Sequence, residues 1–329
     1  MTGPDEFLVT AEQYRGQLIA HCYRMLGSLH DAEDVVQETY LRAWRAYDGF
    51  EHRAAVRTWL FRIATRQCLN LVRHTSRRLV PSAVGAPGDP DDIDGPADLP
   101  WLEPFPDLMF ATEPADPGAV VAQRQTLRLA LVAAVQYLPP RQRAVLLLRD
   151  VLAWPAADVA EVLDTSVAAV NSALQRARAE LGRVHPRAED VSEPAEPERR
   201  ALLDRYADAF ERADIAVLEE LFTADVTWEM PPIPTWMAGR AAVLRLLEAK
   251  IGRAGSRRLV PVQANGGPGF ALYVAGADGA FRGYALQALT LRGDRIASVL
   301  SFHSPQLFRA FGVSLVWDGQ KAGQGIAGP

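Results

Sequence analysis

Residues 57–78, RTWLFRIATRQCLNLVRHTSRR, have the spacing of an amphipathic helix, and their only charged side chains, apart from a histidine, are arginines. Seven arginines lie from Arg53 to Arg78, and no carboxylate occurs between Arg53 and Asp89. Apolar and amide side chains recur between the arginines at helical spacing, so one face of the helix is apolar and the other is cationic. A solvated surface helix is the alternative, but such a helix usually mixes both signs of charge. The pattern indicates binding to a polyanion, because clustered arginines displace counterions from phosphates.

The whole chain has the composition expected of a cytoplasmic protein with two or three domains. Its 329 residues are 49% hydrophobic, and no apolar run is long enough to cross a membrane. Residues 1–10 lack the charged start and apolar core of a signal peptide. Cys22 and Cys68 are the only cysteines, which favours reduced thiols. The net charge of −5 argues against a protein that coats nucleic acid along its whole surface.

The stretch before the basic helix, DAEDVVQETYLRAW at residues 31–44, predicts a second amphipathic helix. Asp31 is expected to cap its start, where the side chain can accept from a free backbone N–H. The inner face would be apolar, and the outer face would carry acids around Leu41. An exposed leucine among acids fits either an ordinary surface or a docking face for a partner. The residues alone leave both interpretations open.

HDAEDVVQETYLRAW, followed by RTWLFRIATRQCLNLVR, closely resembles the first domain of extracytoplasmic-function (ECF) sigma factors. The resemblance implies that the acidic helix binds the clamp helices of the RNA polymerase β′ subunit. It also implies that loop 50–56 receives a flipped base and that the basic helix reads and melts the −10 promoter element. The implied polymerase contacts are Asp34, Gln37, Glu38, Leu41 and Trp44. The implied −10 contacts are Arg53, Arg57, Trp59, Arg62, Arg66, Gln67, Asn70 and Arg73.

Residues 79–119 predict an extended acidic linker after the first domain, which spans residues 7–78. The segment holds nine carboxylates and nine prolines but no lysine or arginine, and proline disfavours both helix and strand. The apolar island WLEPFPDLMF at 101–110 is expected to dock on a partner, either the polymerase channel or the C-terminal domain. The interdomain motif within it is Trp101, Leu102, Glu103, Pro104, Phe105, Pro106 and Asp107.

Residues 120–185 predict an all-helical domain that ends in a helix-turn-helix. Helix 155–163, the turn at 164–166 and helix 167–181 have the required spacing, with Asp164 in a left-handed turn position. Val167, Val170 and Leu174 are expected in the core. The piece resembles the −35-binding domain of ECF sigma factors, although this chain lacks the usual opening lysine and arginine. Its candidate −35 contacts are Ser166, Asn171, Ser172, Gln175, Arg176 and Arg178.

A second linker at 186–197 leads to a third domain, predicted at 198–315 and followed by a flexible tail at 316–329. Helices come first and strands follow, which predicts an α+β domain with a curved antiparallel sheet. With WEMPPIPTWMAGR at 228–240, this order resembles the SnoaL-like, ketosteroid-isomerase-like cone. A subset of ECF sigma factors carries such a domain. The expected fold is therefore multidomain, with two all-α DNA-binding domains and a C-terminal α+β SnoaL-like cone.

The cone domain is expected to regulate rather than to catalyse. Successive side chains of a strand point to opposite faces of the sheet, so the neighbours Trp228 and Glu229 cannot easily line the same cavity. No acid–base pair or metal-ligand spacing is evident, and neither a cofactor nor a metal is expected. A dry aromatic pocket is the preferred interpretation, although the same residues could simply form the core. Its candidate residues are Tyr206, Phe210, Trp228, Met230, Trp236 and His303.

Together these patterns predict a sigma factor that recognises −35 and −10 elements and initiates transcription, regulated in cis by its C-terminal domain. The resemblance implies core RNA polymerase, through its β′ clamp helices and β flap, and promoter DNA as partners. The predicted pocket adds an unidentified small molecule as a candidate ligand of the cone domain, and no membrane contact is expected. The alternatives are a stand-alone DNA-binding regulator and an isomerase-like enzyme fused to a DNA-binding module.

Overall fold

A computed structural model of the chain describes residues 7, 10–47, 55–74, 76–110, 126–184, 195–317 and 319. The chain forms two compact units. One unit contains residues 1–78 and 102–186, and the other contains residues 79–101 and 187–329. The first is helical and the second combines helices with a sheet, as the sequence predicts.

The helical unit begins with α1 (Arg15–Leu26), α2 (Leu29–Ala46) and α3 (Val56–Val72). Gly27 separates the first two helices with a left-handed φ of 73°, and an added Cβ there would lie 2.9 Å from Leu102. The hydroxyl of Ser28 accepts from the backbone N–H of Asp31 at 3.1 Å. The predicted cap at Asp31 is therefore wrong by one turn: Ser28 caps α2, and Asp31 pairs with Arg78 instead.

The unit continues with α4 (Leu129–Val135), α5 (Pro140–Leu146), a π-helical turn (Leu147–Val151), α6 (Ala156–Val162) and α7 (Val167–Val184). Proline at the first position of α5 is favourable because the helix does not need that N–H. The guanidinium of Arg143 is buried and donates to the side-chain oxygen of Gln136 at 2.7 Å. It also donates to the backbone oxygen of Met25, which ties α5 to the end of α1.

The second unit contains α8 (Glu196–Arg212), α9 (Ile215–Leu221) and α10 (Arg240–Lys250). Its strands are β1 (Phe222–Met230), β2 (Ile233–Ala238), β3 (Arg257–Ala264), β4 (Gly267–Ala275), β5 (Phe281–Arg292) and β6 (Arg295–Phe302). The sheet order is β2-β1-β6-β5-β4-β3. Strands β1 and β6 are parallel, so the expectation of a purely antiparallel sheet is wrong. The meander β3 to β6 follows α10 and returns its last strand beside β1.

The hairpin turns of this sheet are only partly evident from the sequence. The turns at 276–279 and 293–294, which join β4 to β5 and β5 to β6, contain the Gly and Asp residues typical of hairpins. Asn265 and Gly266, both with positive φ (54° and 73°), form a further tight turn that was not predicted. Strand β2 was also not predicted, because it follows two prolines and contains Pro234. It lies at the sheet edge, where proline is tolerated.

Residues 79–101, here called the acidic strap, lie along edge strand β2. The N–H of Gly88 donates to the Trp236 carbonyl and that of Ala97 to the Pro232 carbonyl, both at 2.9 Å. The strap closes on itself, since the Leu79 N–H donates to the Pro100 carbonyl at 2.8 Å. The expectation of an extended spacer is therefore wrong for this part of 79–119. The open edge of a sheet offers free backbone groups, and the strap occupies them.

The chain ends of the second unit are described only in part. The N–H of Trp317 donates to the Phe281 carbonyl at 3.0 Å, so the predicted flexible tail at 316–329 begins with residues that pair with β5. Residues 318 and 320–329 lie outside the described residues, as does most of the predicted linker at 186–197.

Candidate functional site

The outer face of α2 forms an open groove of about 740 Å³. Leu41 and Trp44 are 44% and 48% exposed within it, which is unusual for large apolar side chains on a helix with a well-buried inner face. Glu38 is half-buried beside the groove and pairs with Arg42 at 2.6 Å. The structure thus brings together four of the five predicted polymerase contacts. The groove is lined by Arg15, His30, Glu33, Asp34, Gln37, Tyr40, Leu41 and Trp44.

Glu103 of the interdomain motif holds the first turn of α2. Its carboxylate accepts from the backbone N–H of Leu29 at 2.7 Å and of His30 at 3.2 Å, and from the Ser28 hydroxyl at 3.1 Å. A negative charge at a helix N-terminus is favourable, since the unpaired N–H groups there carry partial positive charge. No local sequence signal predicts this contact, because its partners lie more than seventy residues apart.

The rest of the interdomain motif also packs on the helical unit. Phe105 is fully buried against Tyr23, with ring centroids 4.9 Å apart, and Leu102 is buried nearby. The Tyr23 hydroxyl donates to the Glu103 carbonyl at 2.7 Å. Of the two expected partners, the C-terminal domain is therefore wrong for this motif: the chain divides after Trp101, and the motif from Leu102 onward belongs to the helical unit.

A second depression, of about 330 Å³, lies on the basic helix α3. Trp59, Arg66, Gln67 and Asn70 line it together, which places four of the predicted −10 residues at one spot. The amide nitrogen of Gln67 is buried and has no hydrogen-bond partner among the described residues. Arg73 is exposed just past the end of the helix. Arg53 and most of the predicted base-binding loop 50–56 lie outside the described residues.

Other arginines of α3 contact the helix-turn-helix region. Arg62 pairs with Glu161 of α6 at 2.8 Å, and Arg66 donates to the Val162 carbonyl at 3.3 Å. The guanidinium of Arg57 lies 6.0 Å from the ring centre of Trp154, a position where it attracts the aromatic face. No local sequence pattern predicts these contacts, because their partners lie about a hundred residues apart. Part of the cationic face of α3 therefore contacts the helix-turn-helix region in this structure.

The helix-turn-helix has the predicted turn chemistry. Asp164 adopts a left-handed φ of 50°, and the hydroxyl of Ser166 accepts from the Ala169 N–H at 3.1 Å. Val170 and Leu174 are buried as expected, but Val167 is 44% exposed, because it lies in the first turn of α7 beyond the core. The exposed face of α7 carries the remaining candidate −35 residues Asn171, Ser172, Gln175, Arg176 and Arg178.

The two candidate arginines of α7 differ in their surroundings. Arg178 forms a two-bond pair with Asp150, at 2.9 and 2.7 Å, so its charge is largely matched within the protein. Arg176 is exposed, and no described residue forms an ion pair with it. A cation without an internal partner is the better phosphate ligand, since no ion pair has to be broken first.

The second unit contains a cavity of about 350 Å³ between its sheet and helices. Four of the six predicted pocket residues line it, namely Phe210, Trp228, Met230 and His303. Two of the six candidates do not. Tyr206 is fully buried and does not line the cavity. The Trp236 indole donates instead to the Gly85 carbonyl of the acidic strap at 2.9 Å. The strap reaches the cavity as well, because Ile93 and Asp94 form part of its lining.

Polar groups in the cavity come from β5 and β6. Gln287 and Ser301 are paired across the strands and both line the cavity. The Tyr206 hydroxyl donates to the Gln287 side-chain oxygen at 3.0 Å. Burial lowers the pKa of His303 to about 4, so this imidazole is neutral at physiological pH. Gln287 was not among the predicted pocket residues, because a single glutamine in an apolar strand carries no motif.

The Glu229 carboxylate lies on the face of β1 opposite Trp228 and the cavity. It accepts from the backbone N–H of Ser82 in the acidic strap at 2.9 Å. Burial raises the pKa of Glu229, while the bonds from Ser82 act in the opposite direction. As the alternation along β1 predicts, Trp228 lines the cavity and Glu229 does not.

The described residues hold no group of three or more potential metal ligands. Among them no helix is both long and apolar enough to span a bilayer.

Comparison with known proteins matches all three parts of the chain. The Sigma-70 region 2 family matches residues 10–78, the Sigma-70 region 4 family residues 128–181 and the SnoaL-like domain family residues 203–299. The ECF RNA polymerase sigma factor SigG of Mycobacterium tuberculosis is 48% identical over 313 residues, which cover 94% of this chain and 84% of SigG.

A second relative and its solved structure agree with the fold. The ECF sigma factor SigJ of Mycobacterium tuberculosis is 28% identical over 310 residues, covering 90% of this chain and 91% of SigJ. The crystal structure of SigJ matches with a TM-score of 0.62 over 93% of this chain and 100% of that chain, at 24% identity.

Proposed function

Because the chain belongs to the ECF sigma factors of RNA polymerase and carries a SnoaL-like domain, we propose a specific role for each of its surfaces. Sigma factors bind core polymerase and promoter DNA and initiate transcription, and they are not catalysts. The α2 groove would receive the β′ clamp helices, and the depression on α3 a base of the −10 element. The exposed face of α7 would enter the major groove at −35, with its domain next to the β flap.

The observation that carries this proposal is the convergence of Asp34, Gln37, Leu41 and Trp44 in one groove on α2. A stand-alone DNA-binding protein has no need of an exposed apolar groove flanked by acids. Run-off transcription tests the proposal, using core polymerase and a pool of genomic promoter fragments. Specific transcripts are expected only when the chain is added. Tight binding to duplex DNA without core enzyme, and no transcript with it, would favour the stand-alone regulator instead.

We further propose that the C-terminal domain regulates in cis and has no catalytic role. Glu229 is turned away from the cavity, and the Asp94 carboxylate accepts from the Thr235 hydroxyl at 2.5 Å, so neither is free to serve as a base. The regulatory element would be the acidic strap. Fully extended, residues 79–101 would add about 75 Å of reach between the two DNA-binding domains. Docked and closed on itself, the strap adds almost none.

The contacts of α3 support inhibition of promoter binding by the docked strap. Arg62 and Arg66 are proposed DNA ligands, yet here they contact Glu161 and the Val162 carbonyl of α6. Promoter binding would require α3 and α6 to separate. A docked strap shortens the connection and opposes separation, so it should lower the activity of the full chain.

Release of the strap should therefore raise transcription. We expect Thr235→Val combined with Trp236→Phe to remove the hydrogen bonds to Asp94 and Gly85 and to increase run-off transcript a few-fold. Thr290→Val with Trp317→Phe changes the same residue types elsewhere in the second unit and serves as the control. Unchanged or lower transcript from the strap variant, relative to this control, would contradict regulation through the strap.

Removal of one arginine from α7 should separate phosphate contact from base readout. We expect Arg176→Ala to weaken binding to different duplex sequences alike and to reduce the salt slope by about one. Arg178→Ala should reduce the slope less, because Asp150 already matches that charge. Salt titrations of DNA binding by the holoenzyme measure both slopes. A change in sequence preference at an unchanged slope would assign Arg176 to base readout.

A further inference from the structure

The most deeply buried polar group of the C-terminal cavity has an unused hydrogen-bond donor. Gln287 is fully buried on β5, and its side-chain oxygen is occupied by the Tyr206 hydroxyl. Its amide nitrogen has no hydrogen-bond partner among the described residues. A buried donor without a partner is unfavourable, and proteins usually satisfy such groups. Since Gln287 lines the cavity, an acceptor on a bound molecule would supply the missing partner.

The walls around Gln287 suit a compact apolar body. Phe210 and Trp228 lie nearly parallel, at 6°, with ring centroids 6.3 Å apart, and both border the cavity. Aliphatic side chains from α10 and the sheet complete the lining. A volume of about 350 Å³ is at the small end of the range for small-molecule sites, which are also mostly apolar with a few polar groups.

The rim of the cavity is positively charged. Lys250 and Arg257 both line it, and no carboxylate among the described residues pairs with either. Arg257 donates to the backbone oxygen of Lys250 and, at 3.5 Å, to the Ser256 hydroxyl. On the strap side, the Asp94 carboxylate also lines the cavity and accepts from the Thr235 hydroxyl, so two cations face one anion and one positive charge is left over. The neutral His303 adds no charge at physiological pH. The rim therefore favours an anion.

We propose that this cavity binds a small hydrophobic carboxylic acid whose apolar body carries a carbonyl group. The carbonyl would accept from the Gln287 amide, and the carboxylate would lie near Lys250 and Arg257 at the rim. This inference rests on the proposed regulatory role of the C-terminal domain and adds the chemistry of its ligand. A ligand that touches Ile93 and Asp94 would bind the docked strap better than the released one and would shift the chain toward it.

Three matched probes test the ligand class. 4-Benzoylbenzoate has two rings, a carbonyl and a carboxylate; 4-benzylbenzoate lacks the carbonyl, and 4-methylbenzophenone lacks the carboxylate. Isothermal titration calorimetry on the full chain should show 4-benzoylbenzoate binding about tenfold more tightly than 4-benzylbenzoate, since only the ketone satisfies Gln287. It should bind roughly threefold more tightly than 4-methylbenzophenone, since the rim charges are solvent-screened. Equal affinities for all three, or no binding of 4-benzoylbenzoate at millimolar concentration, would overturn the proposal.

Two substitutions locate the contacts. Gln287→Leu should abolish the preference for the ketone over 4-benzylbenzoate. Because that change also deprives Tyr206 of its partner, Lys250→Ala at the exposed rim provides a second measurement. It should abolish much of the preference for the acid over 4-methylbenzophenone, whereas Arg253→Ala, an exposed cation that does not line the cavity, should leave it intact. Retention of the acid preference in Lys250→Ala would remove the rim assignment.

Run-off transcription with the same proteins separates this inference from the proposed function. Arg253→Ala, which lies outside the cavity, should support transcription without any probe, and 4-benzoylbenzoate should reduce transcription by the unsubstituted chain. Transcription that is insensitive to a bound probe would overturn the coupling to the strap while the sigma function stands. Absence of transcription from the unsubstituted chain would instead contradict the proposed function, whatever the probes bind.

Discussion

Leu41→Ala combined with Trp44→Ala should weaken binding to core polymerase by roughly 100-fold or more. Both side chains are large, apolar and about half exposed on the outer face of α2. Large aromatic and aliphatic anchors at the centre of an interface commonly contribute about 2 kcal/mol each, and a tenfold change in affinity corresponds to about 1.4 kcal/mol. The acids beside them would add mainly to the rate of association and to specificity.

Titration of fluorescently labelled chain with core enzyme measures this affinity. Leu315→Ala is a matched control, since Leu315 is 51% exposed in the second unit, far along the chain from α2. Circular dichroism should be unchanged in both proteins, because neither substitution removes a buried group. If the double variant kept its affinity, or if Leu315→Ala reduced it equally, α2 would not be the polymerase contact.

The features predicted well from sequence are those with a local cause. The inner and outer faces of α2 follow from the helical period alone, so Leu41 could be placed on the exposed face. The same holds for Glu229, because alternation along a strand fixes which neighbour faces the cavity. The turn at Asp164 could be predicted as well, because aspartate tolerates the left-handed backbone conformation found there.

The features missed depend on partners distant in the chain. Glu103 bonds to the start of α2, and the strap pairs with an edge strand more than a hundred residues later. Pairing of β1 with β6 in parallel likewise depends on where the meander returns. Periodicity reports how much of a side chain is buried but not which element buries it. The island at 101–110 illustrates the point: its burial was foreseen, but its partner was not.

That island gives the second large effect, on stability. We expect Phe105→Ala to reduce the free energy of unfolding of the helical unit by about 3–5 kcal/mol, the usual result of removing a buried phenylalanine ring. Phe105 is fully buried against Tyr23, whose hydroxyl also bonds to the Glu103 carbonyl. Loss of the ring would therefore loosen the segment that holds the first turn of α2.

Chemical denaturation of the full chain, followed by far-ultraviolet circular dichroism, measures the loss. Leu108→Ala is the matched control within the same motif, because Leu108 is 49% exposed and its truncation should change stability by less than about 0.5 kcal/mol. Since Phe105 packs within the helical unit, removal of residues 198–329 should leave the effect of Phe105→Ala unchanged. A loss below about 1 kcal/mol, or one that disappears with the C-terminal domain, would mean that the motif is anchored elsewhere.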